Sequence, residues 1–351
     1  MGKKETAWRQ ITQDLSSRMG RFTFGQRFYT LAEICEKYDV SQITARRVLK
    51  ELQNAGKVGK IGNGGTVVKN ISLPCVIHFV MPYSLSAVPI SSQAVIIRLY
   101  AGVFSSAKAL NVKCFPVVED HLTALSFDPK EKHGFLIHPS RRESTLGFLR
   151  KNKYPFVFLH SPLAPKNGSP VVTVDRKQGG YLATRHLLSL GHKRIGFISG
   201  SFEFASFQER WKGYRKALKE WQIEYDPRLI MKTPGDVPEE DEAAIEDLLR
   251  LPEPPTAVFA ANDYRAINIL NYCRRNKIRV PEDLSLAGYD NIRESALTRP
   301  PLTTVDTHLE TIGEKGVSLL VQMMHEPDKQ ESGCLLVAPN LVVRNSTGRP
   351  R

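Results

Sequence analysis

The chain has 351 residues, of which 41% are hydrophobic and 24% charged, and its formal net charge at pH 7 is +13. This length fits two or three domains, and the composition excludes a fibrous or largely disordered protein. Five cysteines without a Cys-x-x-Cys pair predict reduced thiols. The N-terminus lacks the apolar core of a signal peptide and no run approaches a membrane span, so we expect a cytoplasmic protein without a membrane partner.

The positive charge is concentrated at the N-terminus. Residues 1–70 carry 13 Lys and Arg against 6 Asp and Glu, whereas the rest of the chain carries 36 against 30. Charge per residue is therefore roughly five times denser in the first segment. A polyanion is the partner that such a segment attracts.

Two short helices are predicted first. A helix over residues 6–19 places its large apolar side chains on one face. Thr30 and Glu33 form a capping box at the start of a second helix. A tight turn then leads into Ser41, which is a good N-cap for a third helix. Two helices joined by a turn before a basic helix form a helix-turn-helix.

The helix from Ser41 to Leu52 carries the functional signal. Its apolar stripe consists of Ala45, Val48, Leu49 and Leu52. Its opposite stripe consists of Gln42, Ile43, Arg46, Arg47 and Lys50, and such a polar and basic strip fits the major groove of DNA. A basic strip alone is also typical of a solvated helix face, so the neighbouring elements decide.

A glycine-rich β-hairpin is predicted directly after this helix. Its turn, Gly62-Asn63-Gly64-Gly65, supplies residues that tolerate positive φ. Lys57, Lys60 and Lys69 make the hairpin a basic wing suited to phosphates or the minor groove. Residues 1–69 are therefore predicted to form a winged helix-turn-helix that binds double-stranded DNA.

This segment resembles the winged helix-turn-helix of GntR-type bacterial regulators. The match lies in Y-D-V-S-Q-I-T-A-R-R-V-L-K-E-L-Q-N-A-G-K-V (38–58) and G-N-G-G-T-V-V (62–68). The resemblance implies DNA contacts by Ser41, Gln42, Thr44, Arg46, Asn63 and Gly64. The basic strip and the wing add Arg47, Lys50 and Lys60. Ala32 stands where that family often has a DNA-contacting arginine, so no operator preference is implied.

Residues 70–74 are predicted to be a linker, and residues 75–351 a larger α/β domain. Apolar runs alternate there with amphipathic stretches, the pattern of βαβ units on parallel sheets. Strands are predicted over 75–81, 112–118, 134–138, 156–160, 171–174, 194–198, 229–233, 257–261, 284–289 and 335–337. Helices are predicted over 92–110, 179–190, 209–221, 266–276 and 312–325. Ten strands are many for one sheet, so we expect two lobes.

Polar residues lie at or just beyond the ends of consecutive predicted strands, where ligands bind in such folds. They are Tyr83, His160, Asp175, Ser201, Asn262 and Asp290, with Phe202, Phe204, Phe207 and Trp211 nearby in the sequence. Hydrogen-bonding groups beside flat apolar faces suit a polyhydroxylated ligand such as a sugar. Taken singly, these residues are ordinary loop polars and core aromatics; together they predict a cleft.

Six segments, in order, resemble the LacI/GalR-type effector domain. They are 174–200, 210–218 (R-W-K-G-Y-R-K-A-L), 255–263 (P-T-A-V-F-A-A-N-D), 280–290 (V-P-E-D-L-S-L-A-G-Y-D), 300–306 and 341–347. The resemblance implies a two-lobed, periplasmic-binding-protein-like (type I) fold that senses a ligand and dimerises side by side. The winged domain takes the place of that family's own helix-turn-helix, an arrangement similar to bacterial arabinose-repressor proteins.

The same resemblance implies a ligand site. Arg210, Asn262 and Asp290 would hold ligand hydroxyls or a carboxylate, and their chemistry agrees, since they provide a planar fork of donors, an amide and an acceptor. Gln178 and Asp175 are placed at the cleft edge. Tyr83 and Phe207 complete the predicted set. His192, after Gly191, is interpreted as structural.

Three functions are weighed. We favour a homodimeric DNA-binding regulator, a repressor of carbohydrate-utilisation genes, whose operator binding responds to a sugar-like effector. A sugar-binding receptor would need only the large domain, but the basic helical N-terminus argues against it. An α/β enzyme is disfavoured, because G-x-G-x-x-G, P-loop, G-x-S-x-G and H-E-x-x-H motifs are missing and Asp175 and Asp290 are explained by ligand binding. No cofactor or metal is expected.

Overall fold

The computed structural model describes most of the chain. The described residues are 3–19, 22, 26–61, 65–68, 75–81, 90–129, 131–138, 143–161, 169–233, 235, 237–326 and 333–351. Within these ranges no helix combines the length and apolar character needed to cross a membrane. The residues predicted to form the linker fall outside them.

The N-terminal domain consists of three helices and a hairpin. These are α1 (Lys3–Ser17), α2 (Leu31–Tyr38), α3 (Gln42–Asn54), β1 (Val58–Ile61) and β2 (Gly65–Val68). The two strands pair antiparallel, and Arg27 adds a bridge to Val67. The predicted order of helices, turn and wing is observed, although α1 begins at Lys3 and ends two residues before the predicted end.

Local signals and a shared core position the helices. Thr30 N donates to Glu33 Oε2 (2.6 Å) and Glu33 N donates to Thr30 Oγ1 (3.2 Å), which is the predicted capping box. Asp39 adopts a left-handed φ of 49° in the turn before α3. Tyr38 Oη donates to Asp14 Oδ2 (2.6 Å), which joins α2 to α1. The apolar stripe of α3 is buried as predicted, so its opposite face is turned outward.

The large domain has two lobes, each built on a six-stranded sheet. The first lobe contains β3 (Cys75–Met81), β4 (Lys113–Val118), β5 (Lys132–Ile137), β6 (Phe156–Leu159), β7 (Val171–Val174), β13 (Cys334–Val337), α4 (Ile90–Ala109), α5 (Glu143–Lys151) and α10 (Leu309–His325). Its strand order is β13-β7-β6-β5-β3-β4, and all pairs are parallel. Apolar residues of α4 and α10 pack on one face of this sheet.

The second lobe contains β8 (Ile195–Ser199), β9 (Ile230–Lys232), β10 (Ala257–Ala260), β11 (Ser285–Asp290), β12 (Thr303–Asp306), β14 (Asn340–Val342), α6 (Arg176–Ser189), α7 (Ala205–Glu220), α8 (Pro238–Leu249) and α9 (Asp263–Arg275). Its order is β14-β12-β11-β10-β8-β9, parallel except for β14 against β12. The helices cover both faces of the sheet.

The chain crosses between the lobes three times. The crossings lie at Asp175 after β7, at residues 307–308 between β12 and α10, and at residues 338–339 between β13 and β14. Because the C-terminal strand ends of both sheets lie near these crossings, their side chains face one cleft. The two-lobed parallel architecture expected from the sequence is therefore observed.

The predicted strands and helices are present, with ends shifted by a few residues, but β12 and β14 were not predicted. Both are three or four residues long and polar in part, Thr-Thr-Val-Asp and Asn-Leu-Val. Such runs carry too little hydrophobic periodicity to be recognised without their neighbours in the sheet. The helices α5 and α8 were likewise not assigned.

Candidate functional site

The outward face of α3 is polar and basic, as predicted. Its first turn is held by Ser41, whose Oγ accepts from Thr44 N at 3.4 Å and lies 3.2 Å from Thr44 Oγ1. Gln42, Arg46 and Lys50 are exposed. Ile43 lies among them with 81% of its surface exposed, a feature that the sequence placed on this face without assigning it a role.

Arg47 is oriented towards the neighbouring helix α1. Its guanidinium carbon lies 4.3 Å from the centre of the Trp8 ring, a cation–π contact that joins α3 to α1. Arg47 is therefore at the edge of the outward face rather than in its middle. Lys60 is exposed on β1. Asn63 and Gly64 lie outside the described residues.

The cleft between the lobes brings Arg210 and Asp290 together. Arg210, on α7, is 5% exposed, and its Nη2 lies 3.4 Å from Asp290 Oδ1. Its Nη1 donates to the main-chain oxygen of Ala261, and its guanidinium carbon lies 3.9 Å from the centre of the Tyr289 ring. Residues far apart in the sequence thus converge, because the Arg210 side chain extends from α7 to the ends of β10 and β11.

A close crossing of α6 and α7 fixes the position of Arg210. A Cβ atom on Gly213 would lie 2.1 Å from the main-chain oxygen of Lys177, and one on Gly180 would lie 2.1 Å from that of Arg210. Only glycine permits this approach. The helix that carries Arg210 is therefore held rigidly against the start of α6.

Asp290 is held in an unusual backbone conformation. It is 4% exposed at the end of β11 and has a φ of 104°, which costs a non-glycine residue about 1–3 kcal/mol. Arg98 Nη1 donates to the main-chain oxygens of Asp290 (2.9 Å) and Asn291 (2.8 Å) and stabilises this bend. Burial raises the pKa of Asp290, whereas the nearby Arg210 lowers it. The strained bend aims the carboxyl group at the Arg210 guanidinium.

Two predicted ligand residues also cap helices. Asp175 Oδ1 accepts from Gln178 N (2.8 Å) at the start of α6, and Asn262 Oδ1 accepts from Arg265 N (2.9 Å) at the start of α9. Each helix N-terminus presents its positive dipole end towards the cleft. The amide nitrogen of Asn262 and the second oxygen of Asp175 are the groups with which these residues can meet a ligand.

The remaining predicted ligand residues lie around this centre. The Phe207 ring centre is 5.5 Å from the Arg210 guanidinium carbon and provides a flat apolar face. Gln178 is half-buried in the first turn of α6. Tyr83 lies outside the described residues.

His138, His160 and Arg176 at the cleft were missing from the predicted ligand set. His138 and His160 end the neighbouring strands β5 and β6, with ring centres 6.4 Å apart. Arg176 is 2% exposed, and its Nη2 donates to the main-chain oxygen of His160 (2.7 Å). His138 Nδ1 and His160 Nε2 are buried and have no hydrogen-bond partner in the described part of the chain. Their position at the end of a strand was the sequence feature that could have identified the two histidines, and the sequence analysis noted it for His160 but not for His138.

Both imidazoles are kept neutral. Burial, and secondly the positive charge of Arg176, lowers the pKa of His138 to about 4 and that of His160 well below its usual range. A neutral imidazole offers one donor and one acceptor. With the arginine, the carboxylate and the aromatic rings opposite, the cleft can surround a small polar molecule with matched hydrogen-bonding groups.

The interpretation of His192 as structural agrees with its contacts. It is buried after Gly191, whose φ is 102°, between α6 and β8. Its Nδ1 lies 2.8 Å from Thr256 Oγ1 and its Nε2 lies 2.8 Å from the main-chain oxygen of Gly348. Both ring nitrogens are therefore engaged within the fold.

The geometry defines an α/β protein with a periplasmic-binding-protein-like domain and an N-terminal helix-turn-helix. Two family models match it: a periplasmic binding protein-like domain over residues 184–347 and a DeoR-like helix-turn-helix domain over residues 25–70. The second match does not support the GntR type to which the sequence was compared. The resemblance to that type had rested on residues 38–58 and 62–68.

Known proteins similar to this chain include regulators. The HTH-type transcriptional repressor CytR of Escherichia coli (strain K12) is 35% identical over 219 residues, 62% of this chain and 63% of that protein. The HTH-type transcriptional repressor PurR of Haemophilus influenzae (strain PittEE) is 33% identical over 184 residues, 52% of this chain and 54% of its own. The chain therefore spans less than two thirds of the length of these curated relatives.

A solved structure is similar to most of the chain. A transcriptional regulator CelR–cellobiose complex has a TM-score of 0.66 and 26% sequence identity to this chain. The match covers 88% of this chain and 91% of that one.

Proposed function

We propose that the protein is a ligand-responsive, DNA-binding transcriptional repressor whose effector is a sugar or a related small polar molecule. One observation carries the proposal: a helix-turn-helix with an outward basic helix precedes a two-lobed domain whose cleft holds a buried Arg210–Asp290 pair. The similarity to the repressors CytR and PurR and to a regulator solved with cellobiose supports it.

The DNA-binding surface is proposed to be the outward face of α3 together with the wing. Arg46 and Gln42 would read base edges in the major groove, because their long polar side chains project from the exposed first turns. Ser41 and Thr44 at the N-terminus would position the helix on the backbone. Lys50 and the edge residue Arg47 would bind phosphates, and the wing would contribute Lys60, Asn63 and Gly64.

The effector is proposed to bind between the lobes. Arg210, Asp290 and Asn262 would hold its polar groups, and Phe207 would pack against an apolar face. Asp175, Gln178 and Tyr83 would line the rim. Hydroxyl groups match this set, because they donate to carboxylates and accept from guanidinium and amide groups.

A homodimer in the cytoplasm is also proposed. Ile97 and Phe104 of α4 are 55% and 49% exposed, and with Ala101 between them they form an apolar stripe at positions i, i+4 and i+7. Phe115 of β4, in the same lobe, is 51% exposed. Apolar exposure of this kind on a folded surface marks an interface. Two copies paired here would present two α3 helices to a palindromic operator.

Duplex selection and ligand screening test the two halves separately. The full chain should enrich one palindromic family of sequences from a random duplex pool at physiological salt. A thermal-shift screen of monosaccharides, disaccharides, nucleosides and sugar phosphates should find a stabilising ligand, because binding to the native state raises Tm. A ligand without any enriched duplex would instead identify a sugar-binding receptor. Turnover of the ligand would identify an enzyme.

A further inference from the structure

We infer that Ile43 is a specificity-determining residue of α3 that contacts the methyl group of a thymine in the major groove. The inference rests on the proposed DNA-binding function and adds to it the identity of a base. Ile43 is 81% exposed, the highest value among the exposed large hydrophobic side chains of the described residues. It projects from the same face as Arg46 and Lys50.

The position of Ile43 on α3 is central rather than marginal. At about 100° per residue, Ile43 lies roughly opposite the midpoint of the helix's buried stripe. Arg46 and Lys50, three and seven residues later, lie to one side of it on the outward face, and Arg47, on the other side, leans towards Trp8. When this face enters a groove, Ile43 is the side chain that points most directly at the base edges.

Nothing within α3 accounts for an isoleucine at this position. Its side chain is almost entirely outside the core that α3 forms with α1 and α2. A β-branched residue also has lower helix propensity than alanine, so its presence weakens the exposed helix slightly. An exposed residue with unfavourable helix propensity on a binding surface is explained by its contact with the binding partner.

The chemistry of the major groove identifies the partner. Base edges there present hydrogen-bond donors and acceptors, and the C5-methyl group of thymine is their apolar feature. An isoleucine gains from contact with that methyl group and gains nothing from the polar edges of guanine or cytosine. The neighbouring Gln42 and Arg46 supply the polar contacts, so the thymine would lie within the segment that they read.

Single replacement of thymine by deoxyuridine tests this contact, because it removes only the methyl group. In the duplex enriched by the full chain, each thymine is replaced in turn and the Kd is measured by fluorescence anisotropy. The wild-type chain should lose about fourfold in affinity at one thymine per half-site, the effect of one apolar carbon removed from water. Ile43→Ala should bind the thymine and deoxyuridine duplexes equally well.

Two controls separate this contact from other effects. Lys50→Ala, on the same face, should weaken both duplexes alike, reduce the salt dependence and retain the fourfold methyl effect. The Tm of Ile43→Ala should equal or slightly exceed that of the wild type, which excludes unfolding as the cause.

The outcomes are distinct. Loss of the methyl effect in Ile43→Ala alone supports the inference. The inference is overturned if the enriched site contains no thymine, if no replacement changes the Kd, or if Ile43→Ala retains the methyl effect. Failure to enrich any duplex would overturn the proposed DNA-binding function as well.

Discussion

Arg98 Nη1 donates to the main-chain oxygen of Asp290 across the cleft, at a distance of 2.9 Å. Arg98 belongs to α4 of the first lobe, and Asp290 ends β11 of the second. The same guanidinium forms two 2.7 Å bonds with Glu310 of α10, so it is itself firmly held. The strand end that carries the proposed effector-binding carboxylate is thereby fixed from the opposite lobe.

Arg98→Gln should lower the free energy of unfolding by about 2 kcal/mol, because it removes charge-assisted hydrogen bonds and leaves Glu310 without its partner. Urea denaturation of the full chain measures this change. Lys108→Gln provides the control, since Lys108 is exposed on the same helix. Equal stability of the two variants would show that the link between the lobes contributes nothing.

Gly213→Ala should destabilise the protein by about 3 kcal/mol, because its Cβ would lie 2.1 Å from the main-chain oxygen of Lys177 and force α6 and α7 apart. Gly147→Ala in α5 meets nothing within 4 Å and should be stabilising by about 0.5–1 kcal/mol. Thermal unfolding of both variants gives the comparison. A neutral Gly213→Ala would show that the two helices can separate without cost.

The sequence predicted the fold well because the buried strands are apolar runs. Cys75–Met81 and Val171–Val174 were located to the residue, since every residue in each is buried or nearly so. Arg210 and Asp290 entered the predicted ligand set through the family resemblance, whereas their pairing is a result of tertiary packing that the sequence did not predict. Arg98 and Arg176 were missed because an arginine on a helix looks solvated until the chain around it is folded.

The exposure of Ile43 illustrates a second limit of prediction from the sequence. The sequence placed Ile43 on the strip opposite the apolar stripe, but spacing alone does not show that 81% of its surface is exposed. Arg47 shows the opposite case. Its spacing put it on the basic strip, and only the position of Trp8 on another helix shows where its side chain turns.

Acid should destabilise the protein through its buried histidines. His160 has a folded pKa well below the value of about 6.5 in the unfolded chain, so below pH 6.5 the unfolded state binds more protons. Stability is therefore lost as pH falls from about 6.5, by up to about 1.4 kcal/mol per pH unit for one such group.

Replacement of His160 measures its contribution to the loss of stability at acid pH. Between pH 6 and pH 5, His160→Gln should lose about 1 kcal/mol less than the wild type in urea denaturation. His121→Gln serves as the comparison, because it makes the same exchange at an exposed position. Parallel curves for the wild type and His160→Gln would mean that His160 does not titrate differently on folding.

Phe104→Glu should convert the proposed homodimer to a monomer, because it places a charge within the exposed apolar stripe of α4. Analytical ultracentrifugation at micromolar concentration gives the mass directly. Ala109→Glu adds the same single negative charge to an exposed position of α4 that lies about 100° around the helix from the stripe, and this variant should remain dimeric. A wild-type chain that sediments as a monomer would refute the dimer.

Arg46→Ala and Asp290→Asn should separate DNA binding from effector binding. Removal of one base-reading arginine should weaken the selected duplex by about 10- to 100-fold and leave effector affinity unchanged. Asp290→Asn removes the charge paired with Arg210 and should weaken the effector at least tenfold, while duplex affinity without effector stays at the wild-type value. Fluorescence anisotropy and calorimetry measure the two affinities.

Thermodynamic linkage between effector binding and duplex binding provides a second test. If effector changes duplex affinity by some factor in the wild type, duplex must change effector affinity by the same factor, since the two sites share one coupling free energy. In Asp290→Asn, the change in duplex affinity at saturating effector shows whether the carboxyl group only binds the effector or also couples effector binding to DNA binding. Equal losses of duplex affinity and effector affinity in both variants would show that the DNA-binding surface and the cleft are not separate sites.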